Sequence, residues 1–122
     1  MGDLPSKAWI FYQEPEHGSH PVVQVEPEDG EDFTLDELQG FVGGLIEKLP
    51  IPGHIIFANE ENGMYDEFVM NTRFVMLFAE LLATYVLMGP KMVAGNVILM
   101  DTPTLRENTV VMDYLEAVAA VA

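Results

Sequence analysis

The chain has 122 residues, no cysteine, and 20 acidic against only five basic residues, which gives a formal net charge of −15. Its length indicates a single domain over residues 1–122, and a hydrophobic content of 49% argues against intrinsic disorder. The missing cysteines exclude disulfides, zinc–thiolate sites and a thiol nucleophile, and the negative charge disfavours nucleic acid and anionic membrane as partners.

The first forty residues combine a predicted β-hairpin with the densest group of acids. Residues 8–13 and 21–26 are rich in aromatic and β-branched residues and are typical of strands, joined by a loop that contains Pro15 and Gly18. A loop over residues 26–33 follows. Seven carboxylates of this loop and the next helical turn are called the acidic rim: Glu26, Glu28, Asp29, Glu31, Asp32, Asp36 and Glu37.

A short helix is predicted after the loop. Thr34 is a good N-cap, and Glu37 three residues later completes a capping box. Asp36 and Glu37 also occupy the first turn, where the helix dipole favours negative charge. Gly43-Gly44 ends the helix: we expect one glycine at positive φ and the other to allow the following strand to approach closely.

Three further strands are predicted over residues 45–49, 54–59 and 95–100, the first two separated by a turn at Pro52-Gly53. A turn over residues 60–63 and an irregular extended stretch over 64–70 come next.

Asn71 is expected to cap the longest helix, over residues 72–87. Apolar side chains cover most of its circumference, and its polar stripe consists of Arg73, Glu80 and Thr84. Such a helix is either central in its fold or shared with another chain. Because 122 residues do not readily cover a central helix, we predict a homodimer through this helix.

The C-terminal part is predicted as a loop over residues 101–107 and a helix capped by Asn108. Its apolar end, residues 117–122, either packs on a neighbouring element or frays. The order β-β-α-β-β-α-β-α predicts an α+β fold: a mainly antiparallel sheet of about five strands, with two to three helices packed on it.

The segment Leu35–Glu47, with its paired glycines, resembles the opening of a small family, domain of unknown function 3846. Residues 55–61, ending Asn-Glu-Glu, resemble a strand of that family; Asn71 and Arg73 fit its next element, and residues 93–99 resemble its closing strand. The resemblance covers about residues 34–101 and departs at Asn62-Gly63, where the family often has glycine directly after Asn-Glu-Glu. It implies a phage or mobile-element origin but, because the family's function is unassigned, no catalytic residues.

No catalytic signature is present, so we predict a protein that is not an enzyme and has no cofactor or bound metal. His17 and His20 have zinc-ligand chemistry, but an exposed, unliganded loop is the favoured interpretation. The acids of residues 26–32 lack the register of a calcium loop. Solvated turns are favoured over a hydrolase carboxylate pair at Glu60-Glu61 and Asp66-Glu67.

Three functions stay open. The favoured one is a small acidic phage or mobile-element interaction protein of the host cytoplasm, which binds or inhibits a host protein by placing the acidic rim on its basic surface. The alternative is a module that sequesters a small metabolite or nucleotide at a dimer interface. Its polar contacts would come from Asn59, Glu60, Asn71 and Arg73. A purely structural or accessory role is the second alternative.

Overall fold

The structure is a computed structural model that describes residues 4–12, 21–49, 51–59, 71–79 and 95–121. The strands of this part of the chain are β1 (Ala8–Phe11), β2 (Val22–Val25), β3 (Ile46–Lys48), β4 (Ile56–Asn59), β5 (Val97–Met100) and β6 (Ala120–Val121). Its helices are α1 (Leu35–Val42), α2 (Thr72–Leu77), α3 (Pro103–Glu107) and α4 (Thr109–Val118).

All the strands join one sheet in the order β3-β4-β5-β1-β2-β6. The neighbours are antiparallel except for β2 and β6, which run parallel. The predicted N-terminal hairpin is confirmed, since β1 pairs with β2 along its whole length and with β5 on its other side. The predicted α+β class with a mainly antiparallel sheet is therefore confirmed.

Side chains of the central strands alternate between the two faces of the sheet, as the period of two in a strand requires. Trp9 and Phe11 of β1 enter a large core, which also contains buried residues of α2, α3 and α4. Ala8 enters a smaller core with Leu38 and Val42 of α1. The sheet therefore lies between α1 on one face and the other helices on the opposite face.

The start and end of α1 follow the predicted local chemistry. The Thr34 hydroxyl accepts from the Glu37 N–H, the Glu37 carboxylate accepts from the Thr34 N–H, and the capping box is complete. At the other end Gly43 has φ 79° and ψ 25°, and the N–H groups of Gly43 and Gly44 both donate to the Gln39 carbonyl. Gly43 is thus the left-handed residue that ends the helix.

Two predictions for the C-terminal part require correction. The predicted loop over 101–107 contains α3, which Thr102 caps by accepting from the Leu105 N–H and which has proline at its first position. A helix is stable there because Leu105 is completely buried in the large core and anchors it. Ala120 and Val121, which the sequence left between packing and fraying, extend the sheet as β6 beside Val23 and Gln24.

Several predictions fall outside the described residues: the loop with His17 and His20, the turn and stretch over 60–70, and the continuation of the long helix through 80–87. Of the helices that the structure describes, none has the length and apolar character needed to cross a membrane.

Candidate functional site

The acidic rim occupies one corner of the molecule, formed by the loop between β2 and α1 and the first turn of α1. Five of its side chains are exposed and two, Asp32 and Glu37, are half-buried. Phe33 lies in the middle of this segment and is buried in the smaller core, where its ring meets Phe41 edge-on. The apolar anchor fixes the loop to the scaffold, so the surrounding carboxylates lie on an ordered segment.

Glu37 joins the two ends of the rim. Its carboxylate accepts from the Thr34 N–H at 3.0 Å and from the Glu28 N–H at 2.9 Å, so one side chain ties the beginning of the loop to the helix N-terminus. The N–H of Thr34, followed by that of Glu28, lowers the pKa of the Glu37 carboxyl because both bonds favour its charged form.

Asp29 organises the tip of the loop in the same way. Its Oδ1 accepts from the N–H of Glu31 at 2.7 Å and of Asp32 at 2.9 Å, and these bonds lower the pKa of the Asp29 carboxyl. For both Asp29 and Glu37 the folded pKa lies below the ordinary one. The loop is therefore stabilised above the ordinary carboxyl pKa, and this contribution is lost as the pH falls through the lowered folded values.

The fold concentrates the negative charge of the rim. A fully extended chain would separate Glu28 and Glu37 by roughly 30 Å, yet a hydrogen bond of 2.9 Å joins the Glu28 N–H to the Glu37 carboxylate. Within the described residues, the only ion pair between a basic and an acidic side chain is Arg106 with Asp101, away from the rim. The rim charges are thus close together and are not neutralised by a described basic side chain.

The predicted ligand-binding residues serve different parts of the fold. Asn71 is buried: its Nδ2 donates to the carbonyls of Phe11 at 2.8 Å and Gly95 at 2.9 Å, and its Oδ1 accepts from the Phe74 N–H. Both its amide protons are therefore used within the protein. Arg73 is exposed and donates to the Tyr114 hydroxyl at 3.1 Å, and Glu60 lies outside the described residues.

Asn59 and Asn96 satisfy carbonyls at the C-terminal end of α1. The Asn59 Nδ2 donates to the Val42 carbonyl at 3.2 Å, and the Asn96 Nδ2 donates to the Phe41 carbonyl at 3.0 Å. These carbonyls have no partner within the helix, so the two amides replace water there. A Cβ at Gly44 would lie 2.8 Å from the Asn59 Nδ2, which explains the second glycine of the pair.

His54 lies before β4 and is buried, with 4% of its surface exposed. The sequence indicated a capping or satisfied histidine, but its Nδ1 has no hydrogen-bond partner. Its ring meets Phe78 edge-on at 5.7 Å, so the neutral form suits its apolar surroundings. Burial accordingly lowers the pKa of His54, because the charged imidazolium would lose its hydration.

In the part of the chain that the structure describes, no three histidine or carboxylate side chains come together as a metal site. The chain matches no family model, no curated protein and no solved structure. The resemblance to domain of unknown function 3846 stays a prediction.

Three features of the site were missed from the sequence. The sequence contains both asparagines at the end of α1, but no local pattern identifies their carbonyl partners. The contact of Arg73 with Tyr114 joins residues 41 positions apart and depends on how two helices pack. The role of Glu37 at the Glu28 N–H adds a tertiary bond to a capping box that local spacing predicted.

Proposed function

We propose that this chain is a small acidic interaction protein of phage or mobile-element type, which binds and inhibits a host protein through the acidic rim. It acts in the host cytoplasm as a binding protein and not as an enzyme. The observation that carries the proposal is the ordered loop: Phe33 anchors it, Glu37 joins its ends, and no described basic side chain neutralises its carboxylates.

The chemistry of the rim selects a basic protein surface as its partner. The exposed carboxylates accept hydrogen bonds and have no protons to donate at neutral pH, so lysine and arginine side chains complement them. The net charge of −15 speeds the encounter with a cationic surface and repels nucleic acid. Host proteins that bind nucleic acid present such a surface, and occupying it would block their function.

The rim also has the right mechanical properties for this role. Glu37 and Asp29 hold the loop with backbone hydrogen bonds, while Glu26, Glu28 and Glu31 are exposed for contact. An ordered loop loses little conformational entropy on binding. Asp29 and Glu37 are therefore assigned to positioning, and the three exposed glutamates to contact with the partner.

A charge-reversal experiment tests the rim against net charge alone. The rim variant carries Glu26→Lys, Glu28→Lys and Glu31→Lys, which leave Asp29 and Glu37 in place. The control variant carries Glu107→Lys, Asp113→Lys and Glu116→Lys, which are exposed on α3 and α4. Each reversal adds two charges, so both variants change the formal net charge from −15 to −9.

The probe is a fluorescent lysine-rich peptide, and its affinity is measured by anisotropy at low and high salt. We expect the rim variant to lose at least about tenfold in affinity, as the loss of a few ion pairs of up to ~1 kcal/mol each implies. The control variant should lose clearly less. Equal losses in both variants would show that only the total charge matters and would overturn the proposal.

The proposed assembly is a homodimer through the helix predicted over residues 72–87. In its described part Met76 is 74% exposed, which leaves an apolar side chain for a partner. Sedimentation equilibrium of Met76→Glu tests this, with Leu45→Glu as a control because Leu45 is also exposed but lies beside β3. Dissociation by Met76→Glu alone is expected, whereas equal behaviour of the two variants contradicts the proposed interface.

A further inference from the structure

A groove runs between α2 and α4, on the face of the sheet opposite α1 and its acidic first turn. It encloses about 460 Å³ and is lined by Arg73, Met76, Leu77 and Tyr114. This volume lies within the range of small-molecule sites, which is about 300–1,000 Å³. The Arg73 guanidinium and the Tyr114 hydroxyl meet at 3.1 Å and form the polar part of its lining. The groove therefore combines one cation with apolar walls.

The charge of Arg73 is available to a ligand. In a chain with 20 acids, Arg106 is engaged by Asp101 through two hydrogen bonds. Arg73 differs, because within the described residues its partner is the neutral hydroxyl of Tyr114, bonded through Nη1. A guanidinium has five N–H donors, so Arg73 retains donors for an anion. Two parallel N–H groups match the two oxygens of a carboxylate.

The rest of the groove suits an apolar tail. Met76 and Leu77 line it and also line a neighbouring hollow of about 390 Å³ that extends to Val110 and Val111. Met76 and Val110 are 74% and 73% exposed, which is costly for large apolar side chains unless something covers them. A flexible thioether such as that of Met76 adapts to chains of different shape. The path from Arg73 to Val110 therefore fits a head group with a linear hydrocarbon tail.

Charge also decides the kind of head group. A monoanion is matched by the single guanidinium of Arg73, whereas a dianion keeps one charge uncompensated in the field of a chain with net charge −15. We propose that the groove between α2 and α4 binds a small amphipathic monocarboxylate, with its carboxylate on Arg73 and its tail along Met76 and Val110. This site is separate from the acidic rim, and the proposal does not depend on the function assigned to the rim.

The test compares octanoate with octanol and octyl phosphate, titrated into the full chain and followed by calorimetry and by methyl NMR of Met76. Octanoate should bind at least about tenfold more tightly than octanol, because a hydrogen bond to a charged group exceeds a neutral one. Octyl phosphate should bind more weakly than octanoate. Shifts of the Met76 methyl signal should accompany binding.

Arg73→Met retains the apolar stem and removes the cation, and Arg106→Met removes the same charge outside the groove. We expect Arg73→Met to lower the octanoate affinity at least about tenfold and leave octanol binding unchanged, with less than about twofold change in Arg106→Met. Equal affinities for octanoate and octanol, equal effects of the two variants, or no binding at millimolar octanoate would overturn the proposal. So would a dimer that covers Met76 and excludes octanoate.

Discussion

Asn71 is expected to be worth more to stability than an ordinary helix cap. Its Oδ1 caps α2, while its Nδ2 joins the end of β1 at the Phe11 carbonyl to the beginning of β5 at the Gly95 carbonyl. Asn108 is a matched control, because its Oδ1 caps α4 by accepting from the Val111 N–H and it is only half-buried. The difference between the two alanine variants therefore measures the two buried carbonyl bonds.

The magnitude follows from these bonds. Losing a cap costs about 1 kcal/mol, which is the expected effect of Asn108→Ala. Asn71→Ala loses a similar cap and also two buried hydrogen bonds at about 1 kcal/mol each, so we expect about 3 kcal/mol. In urea unfolding, with a slope of about 1.5 kcal/mol per molar, its midpoint should fall by about 2 M. The midpoint for Asn108→Ala should fall by less than about 1 M.

Asn71→Asp separates the two roles of the side chain. Aspartate caps a helix as well as asparagine does, but it would direct an oxygen at the carbonyls of Phe11 and Gly95. We expect Asn71→Asp to be at least as destabilising as Asn71→Ala. An Asn71→Asp variant within about 0.5 kcal/mol of the wild type would refute the role assigned to its Nδ2.

Two further predictions concern single residues. Gly44→Ala should lower the free energy of unfolding by about 1–3 kcal/mol, because its Cβ would displace the buried amide of Asn59. Gly40→Ala, in the same helix with open space around its Cβ, should raise it by up to ~1 kcal/mol, and the same sign for both in urea unfolding would contradict this. His54→Leu should remove a loss of stability that the wild type shows as the pH falls below about 6.5 towards the lowered folded pKa, because only the unfolded state readily gains the proton. Parallel stability curves of the wild type and His54→Leu between pH 7 and 5 would contradict the buried neutral histidine.

The sequence predicted the fold best where short-range chemistry decides the structure. Thr34 and Glu37 are three residues apart, so their reciprocal bonds depend on one helical turn and on nothing distant. Gly43 likewise ends α1 through its own backbone freedom. The hairpin of β1 and β2 was predictable because its strands alternate in side-chain direction and follow each other directly.

Predictions were less complete where distant residues decide. Thr102 and Pro103 are a typical start of a helix, but five residues form α3 stably because Leu105 is buried against the sheet. The apolar C-terminal residues gave no sign of which strand they would join, and the parallel pairing of β6 with β2 is set by the packing of α4. The set of Asn59, Glu60, Asn71 and Arg73 was chosen from residue type, and two of its amides serve buried carbonyls.

The acidic rim was predictable as a charge pattern, because its seven carboxylates lie within twelve residues of the sequence, from Glu26 to Glu37. Its order was not, since the bond between the Glu28 N–H and the Glu37 carboxylate requires the loop to fold back on α1. The buried ring of Phe33 is what directs that folding. The distinction matters because an ordered rim presents a fixed arrangement of charge.

The most direct measurement of whether the rim is the binding surface is a map of amide chemical shifts. The isotopically labelled chain is titrated with the lysine-rich peptide at about 50 mM and about 300 mM salt, over which range electrostatic screening lengths shorten markedly. Shifts concentrated in residues 26–37 that fade at the higher salt are expected. Shifts of equal size at the exposed acids of α4, Asp113 and Glu116, would contradict the assignment of binding to the rim.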